Sequence, residues 1–268
     1  MPHGALIPGN RAHVSGTVQG SLNTGVIVNG VVALVYNGVF VADNVTLVAG
    51  QNILTAFATP VGGQSAQSQV TVTSDETPLL LEVGASPTNG IAPLGVTFTF
   101  QFGSTTPIQS LSIDFDGNGT FDFTTTDPTA PLQHTYTMPG LYLARLRVTD
   151  QNGAVTEAQT AVAVQDVGAL DALFKSLWNS MNAALVAGDI PTALMFLDSA
   201  AQEKYGPVWQ VLLPHMTEIV ASYSPVQAIS IASEIAEYGM TRTVNGESRL
   251  FFLYFLKDRD GVWRLAAM

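Results

Sequence analysis

The feature that most constrains the fold of this chain is a change of hydrophobic period near Gly168. Before that point, β-branched and other apolar residues alternate in short runs separated by turn-forming pairs such as Asn29-Gly30. From Leu170 onward, apolar residues recur every three or four positions. A period of two predicts strands, and a period of three to four predicts amphipathic helices. The chain is therefore predicted to place β modules first and a module with helices last.

The length of 268 residues allows two or three domains, and we predict three, at 1–77, 78–166 and 167–268. Charged residues make up 12% of the chain, against roughly 25% in an average soluble domain. The net charge is −11, and no lysine precedes Lys175. A surface that binds nucleic acid needs clustered lysine or arginine, so nucleic acid is excluded as a partner.

Cysteine is absent, which excludes disulfides, thiolate nucleophiles and cysteine-ligated metal sites. The low charge and the polar, uncharged residues are typical of an extracellular or cell-surface protein. The first residues contain neither a basic flank nor the apolar run of a signal peptide, so we expect the chain to be a mature or excised part of something longer. Direct insertion into a membrane is not expected, because no segment has the ~20 apolar residues of a span.

The first module is predicted to be an antiparallel β-sandwich, because short β-branched strands alternate with regular turn signals. It is similar to the bacterial immunoglobulin-like domains of the glucodextranase-B type. The resemblance depends on three stretches: Val28-Asn29-Gly30-Val31, Asn37-Gly38-Val39-Phe40, and the run from Val45 to Ala56. It implies a spacer or stalk on a surface protein and brings no functional residues with it.

The second module follows a predicted polar linker, Ser74-Asp75-Glu76-Thr77-Pro78. It resembles the PKD (polycystic kidney disease) domain, which implies a second β-sandwich. The motifs that carry the resemblance are Ser86-Pro87, Gly95-Val96-Thr97-Phe98, Asp114-Phe115-Asp116, His134-Thr135-Tyr136, Pro139-Gly140-Leu141-Tyr142 and Leu146-Arg147-Val148-Thr149-Asp150. One departure is Ile113, where many members of the family have tryptophan.

The third module is predicted to be α+β, with helices first and a sheet after them. Helices are expected from Gly168, over 190–201 with Asp189 as N-cap, and over 208–222 with an interruption at Pro214. Strands are expected at 228–244, 249–257 and 262–268, with Asn245-Gly246 as one turn. The ending Lys257-Asp258-Arg259-Asp260-Gly261-Val262-Trp263-Arg264 is similar to that of the NTF2-like (cystatin-like, cone-shaped α+β) superfamily.

The strongest chemical candidate is the acidic loop at 114–122, which we call the Asp114 loop. Oxygen ligands at alternate positions of a tight loop can converge on Ca²⁺, which takes six to eight oxygens. The alternative is a hairpin whose side chains cap their own backbone. A Ca²⁺ site here would use Asp114, Asp116, Asn118, the Thr120 carbonyl and Asp122, with Asp127 or water as a further ligand.

No complete catalytic constellation is present in the sequence, so no catalytic residue is assigned and the chain is predicted not to be an enzyme. The C-terminal module leaves this open, because a cone-shaped fold has a cavity between helices and sheet. Catalysis there would need a carboxylate base and an oxyanion hole, while structural roles are the alternative. The residues that could line such a cavity are Tyr205, Trp209, His215, Tyr223, Tyr238 and Arg242, with Glu234 and Glu237 nearby.

Three functions are compatible with these patterns. The first is a non-enzymatic structural or adhesive protein of a bacterial surface, in which the sandwiches are spacers for the C-terminal domain. Open strand edges make self-assembly with other protein subunits a physical option in this case. The second is an accessory module that binds polysaccharide, and the third is a small-molecule-binding or catalytic NTF2-like domain.

Overall fold

The computed structural model describes residues 3–75, 77, 79–244 and 246–268. The linker residues Glu76 and Pro78 and the turn residue Asn245 lie outside the described residues. The chain forms two compact units. The first comprises Met1–Gln19, Val26–Ala58 and Ala66–Asp166, and the second comprises Gly20–Gly25, Thr59–Ser65 and Val167–Met268. The first unit consists of two β-sandwiches, and the second is α+β.

The first sandwich contains eight strands in two sheets. Its sheets have the orders β1-β8-β7-β3-β4 and β2-β6-β5. Strands β1 and β8 pair in parallel, whereas β2 with β6, β5 with β6, β3 with β4 and β7 with β8 are antiparallel. The strands are β1 (Ala5–Ile7), β2 (Arg11–Thr17), β3 (Thr24–Val28), β4 (Val31–Val32), β5 (Leu34–Tyr36), β6 (Val39–Thr46), β7 (Gly50–Pro60) and β8 (Ala66–Ser74).

The turns of this sandwich have the conformation that the sequence predicts. Asn29 and Asn37 have φ values of 45° and 47°, and the glycine after each also has a positive φ. Such pairs form the tight turns whose twist matches that of the flanking strands. The sequence did not predict β1 and β2, which are less regular in hydrophobic pattern than the strands after them.

The second sandwich has sheets of the orders β10-β16-β15-β12-β13 and β14-β11-β9. Its core is formed by buried residues from both sheets, including Phe98, Leu111, Ile113 and Leu146. Ile113 is fully buried, so the sandwich packs around isoleucine at this position. The strands are β9 (Leu81–Ser86), β10 (Asn89–Ile91), β11 (Leu94–Phe102), β12 (Ile108–Asp114), β13 (Phe123–Thr125), β14 (Leu132–Tyr136), β15 (Gly140–Asp150) and β16 (Val155–Gln165).

The helices of the second unit differ from the prediction near Asp198 and follow it at Pro214. The expected helix at 190–201 is two helices, because Asp198 accepts a hydrogen bond from the Ala201 amide (2.7 Å) and caps a new one. The helix expected at 208–222 is interrupted by a 3₁₀ turn, Leu213–His215, that contains Pro214. The helices are α1 (Val167–Val186), α2 (Ile190–Leu194), α3 (Ser199–Leu212) and α4 (Met216–Ala221).

The sheet of this unit has four antiparallel strands rather than three. The strand expected at 228–244 is broken near Ala232, whose amide donates to the Ile235 carbonyl (2.9 Å) and closes a turn. The strands follow one another in the order β17 (Gln227–Ile231), β18 (Ile235–Val244), β19 (Glu247–Lys257) and β20 (Trp263–Ala267).

The buried Asn23 side chain ties the segment Gly20–Gly25 into this second unit. Its Nδ2 donates to the Trp263 carbonyl (2.8 Å), and its Oδ1 accepts from the Trp263 amide (2.8 Å). Only glycine fits at position 25, since a Cβ atom there would lie 1.9 Å from the Asp260 carbonyl oxygen. The amide of one asparagine thus serves both backbone groups of a strand residue.

Candidate functional site

Asp114 organises the Asp114 loop from the end of β12. Its side chain is fully buried, and its two oxygens accept hydrogen bonds from the amides of Gly117 (2.8 Å), Asn118 (3.2 Å) and Gly119 (2.8 Å). Gly117 and Gly119 adopt positive φ values of 74° and 94°, which turn these amides toward the carboxylate. One buried carboxylate thus satisfies three backbone donors, as the capping interpretation of the loop predicts.

The other polar side chains of the loop also bond to its backbone. Asp116 accepts from the Asn118 amide (3.1 Å) and from its side-chain Nδ2 (3.0 Å). The Asn118 Oδ1 atom accepts from the Thr120 amide (2.8 Å), and Asp122 accepts from the Phe115 amide (2.7 Å). The loop is therefore held by its own side chains over its whole length.

Three of the predicted Ca²⁺ ligands do come together. Asp114, Asp116 and Asp122 each offer an oxygen, and these atoms lie within 4.8 Å of one another. The donor chemistry suits a hard cation, but several of these oxygens already accept backbone hydrogen bonds, so a cation would share them. Arg145, with Nη2 at 3.7 Å from Asp114 Oδ2, supplies part of the neutralising charge. Ca²⁺ binding stays a prediction.

Tyr136 connects the loop to the core of the second sandwich. Its hydroxyl donates to the Phe115 carbonyl (2.7 Å), and its ring packs between those of His134 (4.6 Å) and Tyr142 (4.4 Å). Burial raises the pKa of Tyr136 well above its usual value, and the nearby tyrosine and aspartate charges add to the effect. His134 is part of this aromatic stack, where it lies against Phe115 (4.7 Å).

The residues predicted to line a C-terminal cavity lie at four places. Trp209 is buried and stacks on Tyr205 at 6.2 Å. Arg242 lies over the Tyr223 ring at 5.8 Å, and burial raises the pKa of Tyr223. His215 is exposed at the end of its 3₁₀ turn.

Tyr238 occupies the fourth place, in the interior between helices and sheet. Its hydroxyl donates to Asp171 Oδ1 (2.8 Å), and burial raises its pKa. A hydrogen bond from Lys175 lowers the pKa of Asp171. Three aromatic rings fill the adjacent space. The ring centroid of Phe174 lies 5.0 Å from that of Phe255 and 4.8 Å from that of Trp263. The interior of the C-terminal unit around Tyr238 is filled by its own side chains.

One polar contact inside the first unit was not predicted from the sequence. His13 Nδ1 is paired with Asp43 Oδ1, and the other oxygen of Asp43 accepts from the Ala161 amide (2.7 Å). These residues border a cleft of about 440 Å³ between the two sandwiches. No local signal could have identified the contact, because its members are 30 and 118 residues apart.

An exposed apolar surface on the last sheet was also missed. Ile229, Leu250 and Phe252 are 53%, 56% and 44% exposed, although they are large and apolar. The sequence signal was available in β19, where residues 250–256 form an unbroken apolar run. An antiparallel strand with one face in water normally alternates apolar and polar residues. An unbroken apolar run is the sequence pattern of a strand whose two faces are both covered, yet Leu250 and Phe252 are exposed in this chain.

Comparison with known proteins confirms the predicted PKD domain. Residues 80–164 match the family described as the PKD domain. A search of curated proteins found no match. No helix in the described part of the chain is long and apolar enough to cross a membrane.

Solved structures to which parts of the chain are similar have low sequence identity and low TM-scores. The fibronectin(III)-like modules of Clostridium thermocellum CbhA are 17% identical, with 61% of this chain and 90% of that chain covered and a TM-score of 0.25. The Ig1-2 module of Drosophila receptor protein tyrosine phosphatase DLAR is 13% identical, with 62% and 95% covered and a TM-score of 0.24.

A third similar structure is SGBP-B of the Bacteroides ovatus mixed-linkage glucan utilization locus, solved in complex with a mixed-linkage heptasaccharide. It is 17% identical, with 61% of this chain and 43% of that chain covered and a TM-score of 0.22. The PKD match supports a PKD module within the chain, and PKD domains are typical of extracellular or surface proteins. The glucodextranase-B and NTF2-like assignments stay predictions.

Proposed function

We propose that the protein is a non-enzymatic structural or adhesive protein of the cell surface or the extracellular space. The two sandwiches act as spacers, and the C-terminal unit supplies a contact surface. The observation that carries this proposal is the exposed apolar face of the C-terminal sheet. Ig-like and PKD families are typically non-catalytic, which agrees with a structural role.

The contact surface is built from neighbouring strands of the sheet, and we call it the outer face. Phe252 of β19 is directly paired with Gly239 of β18. A Cβ atom at Gly239 would lie 3.3 Å from side-chain atoms of both Ile229 and Leu250, so these two side chains close over the glycine. At the end of the same strands, the exposed residues Ile235 and Leu256 pair directly.

The opposite face of the same strands is buried. Tyr238, Leu253 and Phe255 have at most 1% of their surface exposed. The sheet therefore has one face in the core and one face in water, on which the apolar residues flank a polar pair, Tyr254 donating to Glu237 (3.0 Å). Large exposed apolar patches on folded proteins mark interaction sites, because leaving them in water is unfavourable. A second copy of the chain can cover this face with its own outer face, which gives a two-fold symmetric contact.

Sedimentation of the full chain over a range of concentrations tests this proposal. We expect wild-type protein to associate, and the Leu250→Thr/Phe252→Thr variant to remain monomeric, because threonine keeps strand propensity and removes apolar area. Val155→Thr is the matched control, since Val155 is also an exposed apolar strand residue (57%) but belongs to the second sandwich. A wild-type chain that stays a monodisperse monomer at high concentration contradicts the proposal, and electron microscopy distinguishes dimers from fibres.

Polysaccharide binding is less well supported. Sugar-binding surfaces commonly offer an exposed aromatic ring, and all three tryptophans, Trp178, Trp209 and Trp263, are buried. Exposed rings are available at Phe57, Phe123 and Phe252. A glycan array probed with the full chain decides this alternative, and the absence of any hit removes it.

A small-molecule site in the C-terminal unit is favoured by one observation. Asn182 Oδ1 and Arg242 Nε are buried atoms that have no hydrogen-bond partner within the described residues. A small polar ligand or an ordered water would satisfy them. A thermal-shift screen of small polar compounds, repeated with Arg242→Lys, tests this alternative; the same shifts in both proteins would contradict it.

A further inference from the structure

The pair formed by His13 and Asp43 lies at an irregularity of the first sandwich. The register of β2 against β6 shifts between Ala12 and Val14, so that His13 lies opposite two residues, Asp43 and Asn44. Asn44 has a positive φ of 59°. An extra residue in one strand of a pair is a β-bulge, which bends the strand and changes the direction of its side chains.

The bulge presents Asp43 outside its own sandwich. Ala42 and Val45 are both buried in the core of the first sandwich, although they are three positions apart in β6. In a regular strand, residues an odd number of positions apart point to opposite faces. The extra residue removes this conflict. Asp43 therefore lies between two core residues of its own strand while its side chain is directed away from that core.

The Asp43 carboxylate binds the edge of a strand in the second sandwich. Its Oδ2 atom accepts a hydrogen bond from the Ala161 amide (2.7 Å) and a longer one from the Thr160 hydroxyl (3.4 Å). Both residues belong to β16 and are buried. A buried amide without an acceptor is unfavourable, and a hydrogen bond to a carboxylate is stronger than one to a neutral group. This bond therefore holds the two sandwiches together across 118 positions of the chain.

This part of the β16 edge lies beyond the reach of its neighbouring strand. β10 pairs with β16 only at 163–165, where the Ala163 amide donates to the Thr88 carbonyl (2.9 Å). Amides that face one edge alternate along a strand, so the Ala161 amide faces the same way. In the described part of the chain, no strand pairs with that edge at the level of Ala161. Asp43 takes the place of the missing strand.

His13 holds the carboxylate in position. Its Nδ1 atom is hydrogen-bonded to Asp43 Oδ1, the oxygen that the Ala161 amide does not use. The side chains of both residues are about four-fifths buried, with 19% of His13 and 22% of Asp43 exposed. Each oxygen of Asp43 thus has a partner, one in each sandwich. His13 restricts the rotation of the carboxylate and is a positioning residue.

A second attachment between the sandwiches lies at the linker. Asp75 Oδ1 accepts hydrogen bonds from the amides of Gly9 (3.0 Å) and Thr77 (3.0 Å). A Cβ atom at Gly9 would lie 2.7 Å from Leu79 Cδ2, so Leu79 packs directly on this glycine. The described residues of the linker are therefore fixed to the first sandwich. Modules that are joined by a linker alone are expected to move relative to each other.

We infer that Asp43 clamps the two sandwiches into one rigid body, with His13 positioning the clamp. Attachment at both the linker and Ala161 restricts the rotation that a single attachment allows. β5 also lies against β15 and β16, and both sandwiches belong to one compact unit. A spacer built in this way holds its two modules at a fixed angle. The outer face belongs to the other unit, so this proposal and the proposed function fail separately.

The test is the distribution of distances between two spin labels, one in each sandwich, measured by pulsed electron paramagnetic resonance. The chain contains no cysteine, so Gln67→Cys and Thr135→Cys supply the only labelling sites, and both positions are exposed. The pair Thr135→Cys and Val155→Cys lies within the second sandwich and is the matched control. All measurements use the full chain with Leu250→Thr/Phe252→Thr, so that association through the outer face cannot add distances between copies.

We expect a narrow distribution in the labelled parent protein and a distribution about twofold broader with Asp43→Ala. Asp43→Asn keeps an oxygen for the Ala161 amide and should stay narrow. His13→Ala leaves that bond in place and should broaden the distribution less than Asp43→Ala does. Thr160→Val removes only the longer hydrogen bond and should have no effect. The control pair should stay narrow in every variant.

A broad distribution in the parent protein overturns the inference, and so does an Asp43→Ala distribution as narrow as that of the parent. Equal broadening by Asp43→Asn and Asp43→Ala also overturns it, because the asparagine keeps the acceptor. If the control pair broadens in Asp43→Ala, that variant has lost its fold and His13→Ala takes its place. Equal widths of His13→Ala and the parent then overturn the inference.

Discussion

The two β-sandwiches share an architecture but close their cores differently. In the second sandwich, the buried Asp114 holds a loop in place, and Tyr136 joins that loop to an aromatic stack. In the first sandwich, short turns such as Asn37-Gly38 connect the strands, and small residues of β7 and β8 line a groove of about 430 Å³. A chain without cysteine thus closes one module through local polar bonds and leaves the other open on one side.

The sharpest way to break this comparison is Asp114→Ala. Removal of the carboxylate breaks three hydrogen bonds from backbone amides to a charged group, and each such bond contributes about 1.5–3 kcal/mol. We expect the first unit to lose at least about 3 kcal/mol of stability to urea in the full chain. Asp116→Ala is the control and should cost much less, because Asp116 is exposed and bonds only to Asn118. Equal stability of Asp114→Ala and wild type would show that the loop does not hold the sandwich.

Tyr136→Phe should have the next largest effect, and it depends on pH. At pH 7 the loss of the hydrogen bond to Phe115 costs about 1 kcal/mol. Because burial raises the pKa of folded Tyr136, its neutral hydroxyl contributes stability that is complete below the unfolded pKa of about 10 and is lost as pH rises above it. The free energy of unfolding, measured by urea denaturation from pH 8 to 12, should therefore fall less steeply with pH in the variant than in wild type. Identical alkaline slopes would contradict this assignment.

Adding Ca²⁺ tests whether the Asp114 loop stabilises the second sandwich by binding a cation. If the loop binds Ca²⁺ with the affinity of extracellular modules, about 10⁻⁴ to 10⁻³ M, then 5 mM Ca²⁺ stabilises the second sandwich by roughly 1–2 kcal/mol. Thermal denaturation should show this increase in wild type and not in Asp116→Ala, while Mg²⁺ serves as the control cation. A titration without heat and without a thermal shift would leave the loop a self-capped hairpin.

The smallest expected effect is a difference in stability between variants of two turns in the first sandwich. Asn29 and Asn37 have the same left-handed conformation, so alanine at either position costs about 1 kcal/mol. Asn29 also donates to the Ile53 carbonyl (3.0 Å) and accepts from the Thr55 amide (2.8 Å). Asn29→Ala should therefore be the more destabilising by about 1 kcal/mol in urea denaturation. Equal losses would show that the side-chain bonds of Asn29 add nothing to the turn.

Whether the sequence predicted a structural feature depends on how far apart in the chain its interacting residues are. The period after Gly168 predicted α1, and Asp189 was recognised as a cap. The break before α3 was missed, although Asp198 is an equally local cap, because the apolar pattern continues across it. The turn near Ala232 was missed because residues 232–235 contain neither glycine nor proline, the usual signals of a turn.

Contacts between distant residues could not be predicted. The strand β1 is short, and its partner Val72 lies 67 positions from Ala5, so only the assembled sheet identifies it. The convergence of Asp114, Asp116 and Asp122 was predicted because the side-chain hydrogen bonds that hold the loop from within span seven residues or fewer. The pair of His13 and Asp43 had no such local signal.

The sequence by itself determined the order of the modules, the tight turns and the Asp114 loop, because these depend on the conformational preferences and hydrogen bonds of residues close in the chain. Tertiary structure alone decided which apolar residues stay exposed and which edges stay free. The outer face with Leu250 exists because burial and pairing depend on which distant strands meet. The pairing of distant strands is governed by long-range packing, which cannot be predicted from any short stretch of sequence.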